Sequence, residues 1–381
     1  MLFRSVNDLA AAQNGALDLV GVVVVDATSG PASAFTLDGG PIQKGFVSYD
    51  LIFDPANFDW RLLGLPSEEA LQMVKLGYGA QEYWRHTADA WSNRMGEVRD
   101  AQGAASPTRA DGWEMWGQAL VGGREETSTP TYTFGLATLT PNLSTDASWR
   151  GFQMGADNLQ GSLLYGITGG FQQQDLDFQS GGNGFDFEGW NLGGYAGWSS
   201  GPVFVNGLLK ADVFTVDVNM RSLPAMTHLD GTTWGAKLEA GARFGGLGLW
   251  VEPKADVSWS NTDLDDAVFP AYATSFRFED TVSLQGSLGA RVGGTWGSIS
   301  PFVGLWAVNE FEGENGMTMM TGPGCPSCMS IKDQPVGSFG KLEYGFTVLN
   351  WNGLEGFVKG ETRFNGDVEG TDLNLGVRWR W

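Results

Sequence analysis

Two imidazoles, two thiols and a long series of charged residues are the groups in this chain that could do chemistry. His86 and His228 are the whole imidazole supply, and Cys325 and Cys328, in the stretch CPSC, the whole thiol supply. A hydrolytic triad needs a nucleophile, a base and an orienting acid. Neither histidine has a sequence context that suggests one, and no GxSxG, HExxH, phosphate loop or dinucleotide fingerprint stands out. A zinc site of two Cys and two His fails on spacing, because the histidines lie far apart. No catalytic group, metal or cofactor is expected, and His86 is read as a polar group on a helix. CPSC follows no strand–helix–strand unit, which weakens a redox reading.

The charged residues are more informative, because they recur with a period of two. Lys210, Asp212, Lys237, Glu239, Arg243, Glu252, Lys254, Asp256, Lys341, Glu343, Lys359 and Glu361 alternate with apolar neighbours. In LGLWVEPKADVSW, Leu247, Leu249, Val251, Pro253, Ala255, Val257 and Trp259 share one face. Gly248, Trp250, Glu252, Lys254, Asp256 and Ser258 share the other. Alternation of this kind is the signature of a strand between an oily and a polar environment.

Twelve such runs are read, at 112–124, 146–158, 161–174, 185–198, 202–217, 230–244, 247–262, 275–293, 296–310, 335–350, 353–364 and 370–381. Most exceed ten residues, longer than a sandwich strand of about 5–6 and long enough for the ~9–11 that cross a bilayer. Charges of both signs fill one face, and aromatics lie near the ends of the other. The fold class is therefore all-β, a twelve-stranded antiparallel outer-membrane β-barrel, since lipid leaves an open sheet edge without partners. Links after even-numbered runs are tight, and those at 125–145, 175–184, 218–229, 263–274 and 311–334 are long. Outer-membrane barrels place long links outside. CPSC then falls in the longest external loop. A disulfide between Cys325 and Cys328 is the first reading there, free thiols the second and metal the third.

The end of the chain, NLGVRWRW, follows the same scheme. Leu373, Leu375, Val377, Trp379 and Trp381 are expected toward lipid, and Arg378 and Arg380 toward the lumen. Ahead of the barrel, Pro66-Ser67-Glu68-Glu69 is a helix-start signal. The firm helix is expected over about Ala80 to Arg99, with Gly77 and Gly79 interrupting what precedes it. Trp84, Arg85, Trp91 and Arg94 point in several directions, as in a helix that is either solvated or enclosed by a polar cavity. Residues 1–65 mix short strands and turns, and Val22 to Val25 read as a strand buried on both faces. Three segments follow: 1–65, 66–110 and 111–381. The formal charge of −21 argues against nucleic acid as a partner.

This order of parts resembles the classical, type V autotransporters of Gram-negative bacteria. The resemblance implies an outer-membrane translocator that anchors and helps export an N-terminal passenger, with 1–65 as the passenger's C-terminal, β-helix-like stump, 66–110 as the pore helix, and no enzyme in the chain. Asn374, Gly376, Trp379 and Trp381 match the family's C-terminal assembly signal, which implies periplasmic chaperones and the barrel-assembly machinery as partners besides outer-membrane lipid. In FTLDGGPIQKGFVSYDLIFDPANFDWRLLG, Tyr49 and Trp60 match the aromatics of the passenger's last, autochaperone region. Asn93-Arg94-Met95-Gly96-Glu97-Val98-Arg99-Asp100 is similar to the helix end of a self-cleaving subset. The Asn pair which that subset carries upstream is replaced here by Asp89-Ala90-Trp91-Ser92. Asp lacks the amide nucleophile, so self-cleavage by that route is not expected. The alternative is a channel or adhesin barrel with a small N-terminal domain.

Overall fold

The computed structural model describes residues 14–102, 111–223, 225–245, 248–322, 328–351 and 354–380. Four strands come first: β1 (Asp18–Asp26), β2 (Ile42–Lys44), β3 (Val47–Asp54) and β4 (Asp59–Pro66). They form one sheet in the order β1-β4-β3-β2, antiparallel throughout. This corrects the β-helix-like reading of the segment, because β-helix rungs stack in parallel. The tight turn after Asp54 folds β3 straight back onto β4. There the Asp54 carboxylate accepts from Ala56 N at 2.9 Å and Asn57 Nδ2 at 2.8 Å, and Phe58 takes a left-handed φ of 56°. The expectation for Val22–Val25 is also corrected. β1 is an edge strand with a bulge at Gly21, and Val22 and Val23 are exposed by 51% and 41%.

Ser67 starts the helical part as expected, its Oγ accepting from Ala70 N at 3.4 Å. A short α1 (Glu68–Gln72) leads into α2 (Lys75–Gln102), which is longer than the expected Ala80 to Arg99. Gly77 and Gly79 lie inside α2, because their role is clearance rather than breakage. A Cβ on Gly77 would come within 2.7 Å of Asn315 Oδ1, and one on Gly79 within 2.7 Å of Phe187 Cζ. No helix among the described residues is long and apolar enough to cross a membrane.

The barrel strands are β5 (Gly112–Glu126), β6 (Thr145–Gln160), β7 (Leu163–Phe178), β8 (Gly184–Ser200), β9 (Val203–Met220), β10 (Ala225–Ala242), β11 (Trp250–Leu264), β12 (Thr281–Gly293), β13 (Ile299–Glu312), β14 (Ser338–Trp351), β15 (Leu354–Phe364) and β16 (Val368–Arg380). Each pairs antiparallel with its neighbours, and β16 pairs with β5 from Val368↔Glu126 to Arg380↔Glu114, so the sheet closes. The two faces are inverted relative to a water-soluble protein. Trp190, Leu192, Leu209, Val213, Trp234 and Leu288 are more than 60% exposed, whereas Asp157, Gln172, Asp212, Glu239 and Glu252 are fully buried. Only a lipid exterior makes that arrangement favourable.

One end of the barrel carries the tight turns, such as Gly161-Ser162 and Gly201-Pro202, where the glycines adopt φ of 60° and 57°. Two links expected to be long shrink to 179–183 and 221–224, because the flanking strands run on with their faces reversed, Leu176, Phe178, Val216 and Val218 being buried while Asp175, Asp177 and Asp217 are exposed. The expected run 275–293 is two strands, since Glu279-Asp280 interrupt it. Its first part, Thr274–Phe278, joins Ala267–Phe269, Asn315–Thr321 and Cys328–Asp333 in a separate antiparallel sheet over the long-link end.

Candidate functional site: the helix-filled lumen

α2 spans the barrel from the long-link end to the short-turn end, and nearly every residue in it is buried. At about 1.5 Å per residue its twenty-eight residues reach some 42 Å. No apolar stripe is needed, because the wall is polar too. At the long-link end Lys75 Nζ bonds Glu126 at 2.8 Å and Asp333 at 2.7 Å. Next, Glu82 gathers Arg85, Arg124 and Arg363, the last at 3.0 Å, and Arg85 also reaches Glu310. Midway, Asp89 pairs with Lys237, and Lys359 Nζ donates to Asn93 Oδ1 at 2.6 Å. Below them Arg94 bonds both oxygens of Asp157 at 3.0 Å, Glu97 at 2.7 Å and Glu114 at 3.1 Å. At the short-turn end Arg99 meets Glu252 at 3.2 Å and Glu239 at 3.4 Å, and Asp100 meets Arg243 at 2.7 Å.

Buried pairs of this sort add little net stability relative to apolar packing, but removing one partner is costly. They match the rod to the wall level by level along the lumen. A polar cavity persists on one side, lined by Lys237, Lys254, Asp256, Lys341, Glu343 and Lys359. The twelve alternating charges singled out in the sequence line the lumen. Lys341 bonds Glu361 at 3.2 Å and Lys254 bonds Glu239 at 2.8 Å, and Lys210 pairs with Asp212 while donating to Thr87 at 2.7 Å.

The two histidines have different surroundings. His86 stacks on Trp149 with ring centroids 3.9 Å apart, and its Nδ1 lies 3.0 Å from Gln172 Nε2. His228 is exposed on β10, 2.8 Å from Asp217. Among the described residues no group of three or more His, Cys, Asp or Glu could hold a metal ion.

At the C-terminal strand, Asn374 is buried and donates to Asp372 at 3.2 Å, Gly376 lies beneath the Phe357 ring, and Trp379 is 48% exposed. Trp381 lies outside the described residues, as does the Arg380 side chain. Tyr49 is buried, its hydroxyl donating to Ala16 O at 3.2 Å and accepting from Ala16 N at 2.9 Å. Trp60 is buried against Phe35 and Phe53, with Nε1 donating to Ala32 O at 3.1 Å. Cys328 opens the strand Cys328–Asp333, and Cys325 lies outside the described residues.

Alternation could not reveal that the N-terminal sheet and the long links share one core. Phe46 packs on Phe269, Phe276 and Tyr272 at ring distances of 4.6, 5.0 and 5.9 Å, and Leu17 N donates to Thr321 Oγ1 at 3.1 Å. The aromatics of FPAYATSFRF carry that signal, but Phe276 and Phe278 alternate as a barrel strand would, which hides it.

A closed barrel of twelve strands, oily outside, charged within and threaded by the helix that precedes it, defines an outer-membrane translocator. The family model described as Autotransporter beta-domain matches residues 133–361, and the chain belongs to that family. The fold is similar to the translocator domain of NalP from Neisseria meningitidis, at 13% identity and a TM-score of 0.58, over 79% of this chain and 98% of that one. The transport unit of AIDA-I from Escherichia coli aligns at 14% identity and TM-score 0.54, covering 76% of this chain and 97% of its own. The β-domain of Bordetella BrkA aligns at 17% and 0.51, covering 71% and 100%. No protein of curated function matches the chain in sequence. The protein is thus an outer-membrane translocator unit of the type V autotransporters.

Proposed function

We propose that this unit holds an N-terminal passenger on the outside of the cell, with the β1–β4 sheet as the passenger's membrane-proximal end. The observation that carries this is directional. β5 begins and β16 ends at the short-turn end, while α2 enters from the long-link end, directly after β4. With the short turns in the periplasm, whatever precedes α2 emerges outside. The antiparallel sheet, docked on the long links, would present a finished edge to the passenger upstream.

The barrel does no chemistry in this reading. It anchors, and its pore takes part in moving the passenger outward. Asn374, Gly376, Trp379 and Trp381 serve as the signal read by the barrel-assembly machinery after delivery by periplasmic chaperones. Cys325 and Cys328 form a disulfide that stiffens the outer loop. The chain stays uncut within α2: Asp89 has no amide, and the Asn93 amide oxygen is held by Lys359 inside a continuous helix.

A reporter domain fused ahead of residue 14 tests the directional claim. Protease added to intact cells should remove the reporter, and deleting residues 41–65 should reduce folded reporter at the surface. A reporter protected until cells are opened would contradict the orientation. Undiminished display after the deletion would remove the sheet's role.

A further inference from the structure

The place where the first and last strands meet is bridged from inside by the helix. Arg378 on β16 bonds Glu97 of α2 at 2.9 Å, Glu114 of β5 at 3.3 Å, and Glu355 of β15. Arg94 of α2 bonds the same Glu114 as well as Asp157 of β6. Glu97 joins the two arginines, lying 2.7 Å from Arg94. One ionic network therefore ties β15, β16, β5 and β6, the four strands around the closure, through two helix side chains.

The register sharpens the point. Glu114 and Asp157 are directly opposite each other on β5 and β6, and both face the lumen. Like charges placed opposite on one face oppose pairing, and Arg94 is a cation that bonds both of them. Arg378 stands directly opposite Glu355 and receives Glu97 from the helix. The helix thus brings a cation to the first hairpin and an anion to the last strand, on either side of the β5–β16 joint. Arg94 and its carboxylates are almost wholly buried, so solvent cannot replace a missing partner.

We propose that α2 is the closing piece of the barrel's own seam, with Arg94 and Glu97 as positioning residues. The seam is tight when the helix occupies the lumen and loosens at the short-turn end when it does not. This goes beyond the export reading and does not depend on any passenger.

The test places cysteines at Gly117→Cys and Val377→Cys, which are paired across the joint on its outer face, in full-length protein carrying Cys325→Ser and Cys328→Ser. Seam disulfide yield and heat-modifiable gel migration are read together. Arg94→Met and Glu97→Gln should each cut the disulfide yield and lower the unfolding midpoint by at least about 5 °C. Forming the disulfide before heating should restore that midpoint. Lys210→Met, equally buried but on β9, should lower the midpoint with the yield unchanged. If Arg94→Met does not assemble, Arg94→Lys reads the same quantity, because it keeps the charge and loses the fork to Asp157. Parental disulfide yield in the Arg94 and Glu97 variants would overturn the proposal. So would an equal loss in Lys210→Met, or a preformed disulfide that restores nothing.

Discussion

The indole of Trp84 on α2 sits in a notch that Gly235 leaves in the wall of β10. A Cβ on Gly235 would overlap the Trp84 ring, and Trp84 Nε1 donates to Lys210 O on the adjacent β9 at 3.4 Å. The rod and the wall are therefore matched in shape as well as in charge. A helix that merely happened to fill an open pore would need no glycine beneath one of its two tryptophans.

Gly235→Val should consequently destabilise the protein by about 1–3 kcal/mol through overpacking. Adding Trp84→Ala should relieve part of the loss, giving a non-additive double-mutant cycle. The measurement is the midpoint of heat-modifiable migration in detergent. Strict additivity would contradict the contact.

Gly376 separates two explanations of the C-terminal signal. Its Cβ position is occupied by the Phe357 ring of β15, so Gly376→Val should impair assembly. If packing is the cause, Phe357→Ala in the same chain restores membrane insertion. If recognition of the bare strand is the cause, it does not. Pulse-labelled insertion into outer membranes reads the difference, and the packing account expects restoration.

The docked sheet should loosen when its aromatic anchor is cut back. Phe46→Ala removes the ring that meets Phe269 and Phe276, at a cost of about 3–5 kcal/mol. Trypsin should then cut at Lys44 or Arg61 while the barrel stays resistant. Unchanged resistance at those sites would mean that the sheet is held elsewhere.

The tip of the β3–β4 hairpin should be acid-sensitive. The Asn57 side chain and the Ala56 N–H hold the Asp54 carboxyl below its ordinary range, with Arg61 adding to the effect. A depressed carboxyl stabilises the fold above its unfolded pKa of about 3.9 and loses that contribution as pH falls through the lower folded value. Protection factors at Ala56 and Asn57, taken relative to the intrinsic exchange rate at each pH, should fall below about pH 4, and Asp54→Asn should remove that fall.

Much of this was legible in the sequence because a lipid exterior forces alternation on every spanning strand. Glu252, Lys254 and Asp256 on one face and Val251, Val257 and Trp259 on the other needed only a period of two. The N-terminal sheet and the loops had no such constraint. Val22 and Val23 look like core residues, yet both remain more than 40% exposed on the edge strand. Gly77 and Gly79 look like helix breakers, yet a neighbour presses on each. The aromatics at Phe269, Tyr272 and Phe276 had no visible partner until Phe46 was brought to them from more than two hundred residues away. The seam network was equally hidden, since nothing in the spacing of Arg94, Glu114 and Arg378 announces a shared site.

The central claim is that α2 fills the lumen and that its charged partners hold it there. Single-channel conductance in planar bilayers tests this most directly, comparing the intact chain with one lacking residues 14–102. The intact chain should conduct poorly, because α2 occupies the lumen, and the shortened barrel should open a much larger conductance. Equal conductance of the two would contradict the account.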